Sequence, residues 1–454
     1  MYSYQPGETI AAIATPLGEG GIAIIRIAGK KAIEVADRVF SGPVHSYESH
    51  TLHFGRIVDQ NDRLIDEALL SVMVGRRSYT GEDTVEIHCH GGLIASRRVL
   101  EVVFAAGARP ARPGEFTFKA FMNGKLDLTQ AESVQQLIGA KSEKAFDLAL
   151  SHLEGALSRK ISAFQEKLVA FAAILEAWVD FPEDETSFAT RQEMVADLGS
   201  LIQEMRTLLQ TFHDGRKVEQ GVSLCIAGAP NVGKSSLLNA LLEQERAIVS
   251  AIPGTTRDLI EADLTLGGVH FRLQDTAGIR PSEEPIEQEG ISRSKKAMER
   301  ADLTLLLLDA FRPLETEDRQ LLDSLDQERA IVVWNKIDLP MPKRHSLPHP
   351  HVVEISAKER LGLKELQDKI SQVLWEKGAP ATDEVLITSL RHKEALAQAI
   401  EGSERALSGV RERLSPEFPA SDIRNALQQL GTIIGTDVTE DILSAIFSTF
   451  CIGK

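Results

Sequence analysis

The segment from Gly228 to Ser235 carries residues that could hold the phosphates of a nucleotide. Its pattern is G-x-x-x-x-G-K-S, and it lies between an apolar run ending at Ala227 and a helical stretch beginning at Leu237. In such a strand, loop and helix, the glycines let backbone N–H groups turn towards phosphate oxygens, and the helix N-terminus adds positive potential. The pattern predicts a P-loop in which Lys234 reaches the β- and γ-phosphates and Ser235 binds Mg²⁺.

Two further segments follow at the distance expected for a nucleotide switch. The first contains Thr255 and Thr256 in a loop bounded by Gly and Pro. The second runs from Asp275 to Gly278, after two apolar runs joined by a pair of glycines, a pattern that predicts a β-hairpin. An Asp in this place can hold Mg²⁺ through water, while the N–H of Gly278 faces the γ-phosphate.

The last two motifs favour guanine over adenine. Asn335–Asp338 ends a continuous apolar run, and the Asp338 carboxylate can accept hydrogen bonds from guanine N1–H and the 2-amino group. Adenine has neither donor in that place, so the carboxylate would stay unpaired, which is unfavourable. After the next apolar run, the backbone of Ser356–Lys358 can donate to the guanine O6. The order of these motifs along the chain therefore predicts a GTP site.

The residue that orients the attacking water in many GTPases is missing. Ras-like enzymes place a Gln directly after the D-x-x-G motif. This chain has Ile279 there, whose side chain cannot hydrogen-bond water. Either another group supplies that function or hydrolysis is very slow. Residues 280–290 contain several carboxylates, although a solvated acidic loop is the simpler interpretation of that stretch.

The elements that must position these motifs divide the 454 residues into four segments. Residues 1–120 are strand-rich, residues 121–220 show helical periodicity, residues 221–378 alternate apolar strands with helices, and residues 379–454 are helical again. We infer a mixed fold: an α+β N-terminal domain and a discontinuous helical domain into which an α/β P-loop domain is inserted. Two separate helical pieces are the alternative.

Local patterns add three expectations. Thr129 and Glu132 have the spacing of a capping box, in which a hydroxyl and a carboxylate satisfy free backbone donors at a helix start. His88–His90 offers metal-ligand residue types, but strand alternation would place Cys89 opposite the two histidines, so we predict no zinc site. Cys225, inside the apolar run before the P-loop, is predicted to be a core residue.

Composition is that of a globular protein without a membrane span. Hydrophobic residues make up 43% and charged residues 26% of the chain, and no apolar run approaches roughly 18 residues. The first residues lack the basic start and apolar segment of a signal peptide. Because three cysteines supply no disulfide framework, we expect a cytoplasmic protein. The net charge of −16 argues against nucleic-acid binding over the whole surface but leaves a local basic groove open.

In order and spacing, these motifs closely resemble the MnmE (TrmE) family of bacterial and organellar tRNA-modification GTPases. The matching nucleotide motifs are G-A-P-N-V-G-K-S, G-T-T-R-D, D-T-A-G-I-R, N-K-I-D and S-A-K. The resemblance covers the full length, and the matching segments elsewhere are Ala14–Pro16, Thr80–Asp83, His90–Gly92, Ala111–Phe116 and Phe450–Lys454. It implies that the inserted domain is a Ras-like G domain.

The resemblance also implies how hydrolysis proceeds without the Gln. Members of the family hydrolyse GTP when two G domains meet around a K⁺ ion, so that hydrolysis is coupled to G-domain dimerisation. Glu287 matches the catalytic residue, which positions water indirectly, and Ser235 and Thr256 match the Mg²⁺ ligands. The residues that match the K⁺ ligands are Asn231, Ser250, Ile252 and Thr255. Ser250 stands where other members carry Thr, and it keeps the hydroxyl.

Motifs and resemblance together predict an extended nucleotide site. Its predicted GTP-binding residues are Asn231, Val232, Gly233, Lys234, Ser235, Ser236, Ser250, Ala251, Ile252, Pro253, Gly254, Thr255, Thr256, Asp275, Thr276, Ala277, Gly278, Asn335, Lys336, Asp338, Ser356, Ala357 and Lys358.

A second site is implied in residues 1–120, which the resemblance makes a folate-binding and dimerisation domain. The positions that match the binding of 5-formyl- or 5,10-methylene-tetrahydrofolate, the one-carbon donor, are Arg26, Glu86, Lys125 and Lys454. A carboxylate suits the donors of the pterin, and cations suit the glutamate tail. Cys451 is a possible functional cysteine whose chemistry stays open.

The function implied by the resemblance is a K⁺-stimulated GTP hydrolase of tRNA modification. It would act as a homodimer with the flavoprotein MnmG (GidA), in a heterotetramer or larger complex. The product would be a carboxymethylaminomethyl-type group at C5 of the wobble uridine of certain tRNAs.

Two other classes of GTPase were compared with this prediction. A ribosome-assembly GTPase of the Era type would carry an RNA-binding module beside its G domain, and no KH pattern follows residue 380. A membrane-associated GTPase would need a basic amphipathic helix or a lipid signal, and the ending C-I-G-K fits a prenylation motif poorly. We therefore expect tRNA and no membrane among its partners.

Overall fold

The structure is a computed structural model that describes residues 7–180, 190–244, 263–274, 287–340, 347–375, 378–381 and 384–454; for residue 244 and residues 287–293 only the backbone is described. The chain divides into two compact units. The first comprises the chain up to Ile138 together with His152–Arg206 and Glu394–Lys454, and the second comprises Gly139–Ser151 and Thr207–Lys393. Each unit thus combines segments that are distant in sequence, while the four domain boundaries stay predictions.

The strands are β1 (Ile10–Ile13), β2 (Ile22–Ala28), β3 (Thr51–Val58), β4 (Leu64–Met73), β5 (Thr84–His90), β6 (Arg109–Pro110), β7 (Val222–Ala227), β8 (Asp263–Leu266), β9 (Val269–Gln274), β10 (Leu303–Asp309), β11 (Ala330–Asn335) and β12 (Val352–Glu354). The helices are α1 (Ala32–Val39), α2 (Leu93–Ala105), α3 (Glu115–Met122), α4 (Leu128–Gly139), α5 (Glu143–Leu153), α6 (Ala156–Asp180), α7 (Arg191–Gln210), α8 (Phe212–Gln220), α9 (Lys234–Gln244), α10 (Glu287–Arg300), α11 (Thr316–Leu322), α12 (Leu363–Leu374), α13 (Leu390–Arg411), α14 (Glu417–Ile434) and α15 (Glu440–Ser448).

The first unit contains a six-stranded sheet in the order β3-β4-β5-β2-β1-β6. Neighbouring strands are antiparallel, except that β1 and β6 are parallel. Helices α1 and α2 join its core through buried aliphatic residues such as Val35, Val99 and Val103. The register places Arg26 of β2 directly opposite Glu86 of β5, so opposite charges meet on one face of the sheet.

Strand β5 alternates as its sequence predicts. Val85, Ile87 and Cys89 are buried in the core, whereas His88 is half-buried and His90 is exposed. Burial raises the pKa of the Cys89 thiol to about 11, which suits a core residue. Within the described residues, no group of three or more His, Cys, Asp or Glu side chains could hold a metal ion.

The helices on either side of the α/β segment pack within the same unit. Helix α6 contacts α14, and Arg424 Nη1 of α14 lies 3.0 Å from Glu176 Oε1 of α6. Both helices bury apolar residues at helical spacing, among them Leu168, Leu175 and Leu430. No helix in the described parts of the chain combines the length and apolar character needed to cross a membrane.

The start of α4 differs from the prediction. The helix begins at Leu128, so Thr129 lies inside its first turn. The Asp127 carboxylate accepts hydrogen bonds from Gln130 N–H (3.0 Å) and Thr129 Oγ1 (2.7 Å), and Gln130 Oε1 accepts from Asp127 N–H (3.0 Å). This is the reciprocal geometry of a capping box. The predicted box from Thr129 to Glu132 is therefore wrong by two residues.

The second unit contains a sheet in the order β12-β11-β10-β7-β9-β8, parallel except between β8 and β9. Leu305 and Leu307 of β10 face one core with residues of α9 and α12, while Leu306 and Leu308 face a second core with α10 and α11. Burial on both faces explains why these strands are continuously apolar. Cys225 lies in the second core, as predicted.

The turn between β8 and β9 confirms the predicted hairpin. Gly267 and Gly268 connect the strands with φ values of +57° and +75°. Two successive residues in the left-handed region make a turn whose twist matches that of the flanking strands. Glycine occupies this region without the steric cost of a Cβ atom.

Candidate functional site

The P-loop of the second unit connects β7 to α9, at the carboxyl edge of the parallel sheet. Two of its glycines are required by close packing as well as by their positive φ angles. A Cβ at Gly228 would collide with the carbonyl oxygen of Leu307, and one at Gly233 would collide with the side-chain nitrogen of Asn335. The loop therefore fits against the ends of two neighbouring strands, which fixes its path.

The Lys234 side chain folds back over this loop. Its Nζ donates hydrogen bonds to the carbonyl oxygens of Gly228 (2.8 Å) and Ala229 (3.0 Å). Burial lowers the pKa of the Lys234 ammonium, because a charge is less well solvated there than in water. An anion in the loop would supply a counter-charge to this ammonium. The geometry thus suits a phosphate.

The oxygen ligands predicted near the phosphates lie at the surface of the loop and of α9. Ser235 and Ser236 are exposed in the first turn of α9. Asn231 is exposed and has a φ of +63°, a left-handed conformation that Asn tolerates better than most residues. Hydroxyl and amide oxygens are ligands for hard cations such as Mg²⁺, so Ser235 and Asn231 fit the predicted metal roles.

The Asn335 side chain joins three of the sequence motifs. Its Nδ2 donates to Val232 O in the P-loop at 2.8 Å, and its Oδ1 accepts from Ala357 N–H at 3.0 Å. Only 2% of Asn335 is exposed, so both bonds are shielded from water. The side chain of one residue at the end of β11 therefore fixes the P-loop and the Ser356–Lys358 segment relative to each other.

The remaining residues of the predicted guanine site gather around Asn335. A hydrogen bond from the Ser356 side chain lowers the pKa of the exposed Asp338 carboxyl, which keeps it ionised and able to accept. Lys336 Nζ lies 2.7 Å from Asp309 Oδ2. The Lys358 side chain is 82% exposed, so its predicted contribution rests on its backbone.

Part of the predicted site lies outside the described residues. The residues concerned are Ser250, Ala251, Ile252, Pro253, Gly254, Thr255, Thr256, Asp275, Thr276, Ala277 and Gly278, together with Ile279. Glu287 is the first residue of α10, and its side chain is outside the description as well. The structure therefore brings together the P-loop half and the guanine half of the site.

A second cluster of polar residues lies in the first unit, on the face of its sheet that carries Arg26. Arg26 Nε donates to Glu86 Oε1 at 2.8 Å, and its Nη1 donates to Gly453 O at 3.0 Å. The Arg26 guanidinium also lies 5.8 Å from the ring centroid of Tyr79 and 5.6 Å from that of Phe116. Aromatic rings and a carboxylate thus hold this cation on several sides.

The segment Cys451–Lys454 returns to the same cluster. Gly114 N–H and Phe116 N–H donate to the carbonyl oxygens of Cys451 and Lys454. Gly453 has a φ of +96°, and a Cβ there would collide with Ile13 O. Lys454 Nζ lies 6.0 Å from the Tyr79 ring. Burial and the nearby Arg26 lower the pKa of the Lys454 ammonium, and Glu86 opposes that effect.

The predicted folate residues are thus brought together only in part. Arg26, Glu86 and Lys454 share one cluster, whereas none of the described contacts joins Lys125 to them. The exposed Lys125 ammonium donates instead to Arg76 O at 2.8 Å. The Cys451 thiol is free and exposed.

Residues of this cluster that sequence reasoning missed are Tyr79, Phe116 and His88. His88 follows Glu86 by two residues on the same strand face, and its Nε2 lies 3.8 Å from Glu86 Oε2. That spacing of two was visible in the sequence. Tyr79 and Phe116 border two matched motifs, Thr80–Asp83 and Ala111–Phe116, but only the tertiary structure places their rings beside Arg26.

The motif Thr80–Asp83 also has a structural role. The fully buried Lys119 donates through Nζ to Glu82 Oε2 and to Glu8 O, both at 2.7 Å. Glu82 Oε1 in turn accepts from Gly7 N–H at 3.3 Å. A buried ammonium needs this paired environment, so loss of Glu82 would leave the Lys119 charge uncompensated.

Family models and relatives of known function match almost the entire chain. Residues 9–125 match the family model of the N-terminus of the GTP-binding protein TrmE, and residues 128–451 match that of the MnmE helical domain. The tRNA modification GTPase MnmE of Protochlamydia amoebophila is 57% identical over 451 residues, which cover 99% of this chain and 98% of that protein. The protein of the same name from Alkaliphilus oremlandii is 43% identical over 457 residues, covering 98% and 99%.

Among solved structures, that of Aquifex aeolicus Era bound to GDP·AlF4⁻ is 27% identical to this chain. It covers 40% of this chain and 66% of Era, with a TM-score of 0.26. A score this low supports no conclusion about function.

The role of the Asn335 amide gives a first prediction. Asn335→Ala leaves two buried backbone groups, Val232 O and Ala357 N–H, without partners, so we expect the second unit to lose about 2–4 kcal/mol of stability. Calorimetric unfolding of the full chain measures the loss. Asn239→Ala, at an exposed position of α9, is the matched control. Equal unfolding temperatures for both variants would contradict the bridging role.

Proposed function

Because the chain belongs to the MnmE family of tRNA-modification GTPases, we propose that it uses GTP hydrolysis to modify the wobble uridine of certain tRNAs. It would add a carboxymethylaminomethyl-type group at C5, together with the flavoprotein MnmG (GidA). The chain is a GTP hydrolase of tRNA modification, as its family is. The observation that carries the proposal is the Asn335 bridge, which unites the P-loop and guanine motifs in a chain 57% identical over its length to an MnmE protein.

The described half of the site supports the proposed binding of GTP. The Lys234 ammonium, which donates to two carbonyl oxygens of its own loop, exchanges them for phosphate oxygens. Their negative charge stabilises the protonated ammonium, which burial disfavours. Asp338 accepts from guanine N1–H and the 2-amino group, and its lowered pKa keeps it charged for that role. The backbone around Ala357, held by Asn335 Oδ1, presents donors to O6.

Hydrolysis needs groups that we assign from the motifs and from the resemblance to the family. We assign Ser235 and Thr256 to Mg²⁺, which would neutralise charge on the phosphates. We assign Asn231, Ser250, Ile252 and Thr255 to K⁺, which would serve in place of an arginine finger. We assign to Glu287, which matches the catalytic residue of the family, the indirect positioning of the attacking water, which Ile279 cannot hydrogen-bond.

The proposed homodimer has support from an exposed apolar face in residues 1–120. Phe54 of β3 and Leu69 of β4 are directly opposed in the register and are 70% and 37% exposed, and Leu52 nearby is 53% exposed. Burial of such a patch against a second copy would remove apolar surface from water. The K⁺ proposal needs two copies as well, since the ion would sit where two G domains meet.

The cluster around Arg26 supports a tetrahydrofolate site. Glu86 offers a carboxylate to the donors of a pterin, and Lys454 offers an ammonium to a carboxylate of the ligand. Tyr79 and Phe116 flank the Arg26 guanidinium and supply aromatic surface for a planar ring. Lys125 would act farther along the ligand, at its charged tail. We propose 5-formyl- or 5,10-methylene-tetrahydrofolate as the ligand, and no chemistry is assigned to the Cys451 thiol.

The cation proposal is tested by GTP turnover of the full chain in K⁺ and in Na⁺. We expect turnover to be about tenfold or more faster in K⁺, because a charge placed against the transition state is worth at least that much. Asn231→Ala should abolish the difference, whereas Asn239→Ala should keep it. Equal turnover in the two salts would contradict the assignment of K⁺ to Asn231.

The substrate proposal is tested on tRNA from a strain that lacks this gene. Mass spectrometry of its nucleosides should show wobble uridines without the C5 group, restored by the wild-type gene and not by Lys234→Ala, which cannot hold the phosphates. Fully modified wobble uridines in the deletion strain would contradict the proposal and favour an Era-type role in ribosome assembly.

The folate proposal has a pH dependence set by Lys454. Because its pKa is lowered, this ammonium loses its proton at a lower pH than an exposed lysine, whose pKa is about 10.4. Binding of 5-formyltetrahydrofolate, measured by calorimetry, should therefore weaken as the pH rises, at a lower pH than the pKa of an exposed lysine would predict. Lys454→Arg should bind equally across the same pH range, since its guanidinium stays charged.

The matched variant Lys454→Met removes the charge at every pH. It should bind weakly throughout, with GTP turnover kept as a check that the chain is folded. Tight, pH-independent binding by Lys454→Met would exclude Lys454 from the site.

A further inference from the structure

We propose that Asp309 is a positioning residue for the guanine base, which acts by holding Lys336. The inference rests on the proposed nucleotide site, in which Lys336 belongs to the guanine motif. Asp309, the last residue of β10, belongs to none of the nucleotide motifs. Its carboxylate would fix the Lys336 ammonium, so that the aliphatic part of that side chain is held in one conformation and packs against the purine.

The topology brings these two residues together. Strands β10 and β11 are parallel neighbours, and Asp309 lies opposite Asn335 in their register. Lys336 follows directly, where β11 has ended. Ala310 N–H donates to Asn335 O at 2.9 Å, which ties the two strand ends. An acidic residue at the end of β10 is therefore next to the guanine motif by construction of the sheet.

Both carboxylate oxygens of Asp309 are engaged. Oδ2 accepts from Lys336 Nζ at 2.7 Å, and Oδ1 accepts from Phe311 N–H at 2.9 Å. The side chain of Asp309 is 10% exposed and that of Lys336 is 31% exposed. Because the turn bond fixes one oxygen, the other presents a nearly immobile charge to the lysine. A partly buried pair of this kind is less screened than a surface pair.

The backbone of Lys336 indicates that its position is enforced. Its φ is +69°, in the left-handed region that costs a residue with a Cβ atom about 1–2 kcal/mol. Such a conformation persists where the surroundings determine it. Here Leu339 N–H donates to Lys336 O at 3.1 Å, and Asp309 holds the other end of the side chain. The four methylene groups between these anchors are thereby ordered before any ligand arrives.

A Lys336 side chain that is ordered in advance should strengthen nucleotide binding and leave the rate of the chemical step unchanged. A lysine without a partner samples many rotamers, and its ordering upon ligand binding opposes that binding. The contact is with the base, and the base does not change between ground state and transition state. Loss of Asp309 should therefore raise KM and the Kd for GDP alike, with kcat kept.

The test compares Asp309→Asn with the wild-type full chain, using a fluorescent N-methylanthraniloyl derivative of GDP. Asparagine keeps an acceptor for Phe311 N–H but removes the charge that holds Lys336. We expect about tenfold weaker binding of the probe, a similar rise in KM for GTP, and a kcat within about twofold of wild type. Asp309→Glu, which keeps the charge, should restore part of the affinity.

Two further variants separate positioning from a general effect of charge or folding. Asp326→Asn removes the same charge from an exposed pair with Arg329 in the same unit, where the side chains are 61% and 66% exposed, and it should bind as wild type does. In a Lys336→Met background, Asp309→Asn should add less than about a twofold loss, because the group it positions is gone.

The possible outcomes test the positioning role of Asp309 separately from the proposed nucleotide site. An Asp309→Asn chain that binds the probe like wild type would overturn the positioning role. So would a full loss from Asp309→Asn in the Lys336→Met background, because the carboxylate would then act through something other than the lysine. Failure of the wild-type chain to bind the probe would instead remove the proposed nucleotide site itself.

Discussion

The Asn335 side chain is the contact on which the described half of the nucleotide site depends. Its amide uses its two ends differently, donating to the P-loop and accepting from the Ser356–Lys358 segment. A carboxylate in its place could only accept, and a lysine could only donate. The loop that would hold phosphate and the segment that would meet guanine are therefore set relative to each other by a group that belongs to neither.

In the first unit, an ion pair rather than an amide fixes the positions of the side chains around it. Arg26 and Glu86 face each other across two antiparallel strands, and aromatic rings and a backbone carbonyl surround the guanidinium. In the same unit, the Glu82 carboxylate compensates the buried Lys119 ammonium. Buried ion pairs contribute little net stability, but loss of one partner is costly. This cluster is thus better explained by the positions it imposes on charges than by the stability it adds.

Much of the second unit could be predicted from the sequence, because its elements are determined by interactions between residues close in sequence. The P-loop, the two-glycine turn and the continuous apolar strands each follow from short-range sterics or from burial on both faces. The prediction of the capping box was wrong because Asp127–Gln130 and Thr129–Glu132 both have the residue types and spacing of such a box. Only the residue at which the helix begins decides between them. Tyr79, Phe116 and Asp309 could not be assigned, because their contacts join residues that only the tertiary fold brings together.

The bond from Arg26 to Gly453 O has a consequence for biosynthesis. The two residues are 427 positions apart, so a ribosome makes the strand that carries Arg26 long before it makes the segment that completes the cluster. The nucleotide motifs, all encoded between these points, can assemble while the cluster around Arg26 is still open. A chain truncated before Gly453 would then keep every residue of its P-loop but lack the carbonyl oxygen that accepts from Arg26. Assembly of the cluster around Arg26 therefore depends on Gly453, whereas assembly of the P-loop does not.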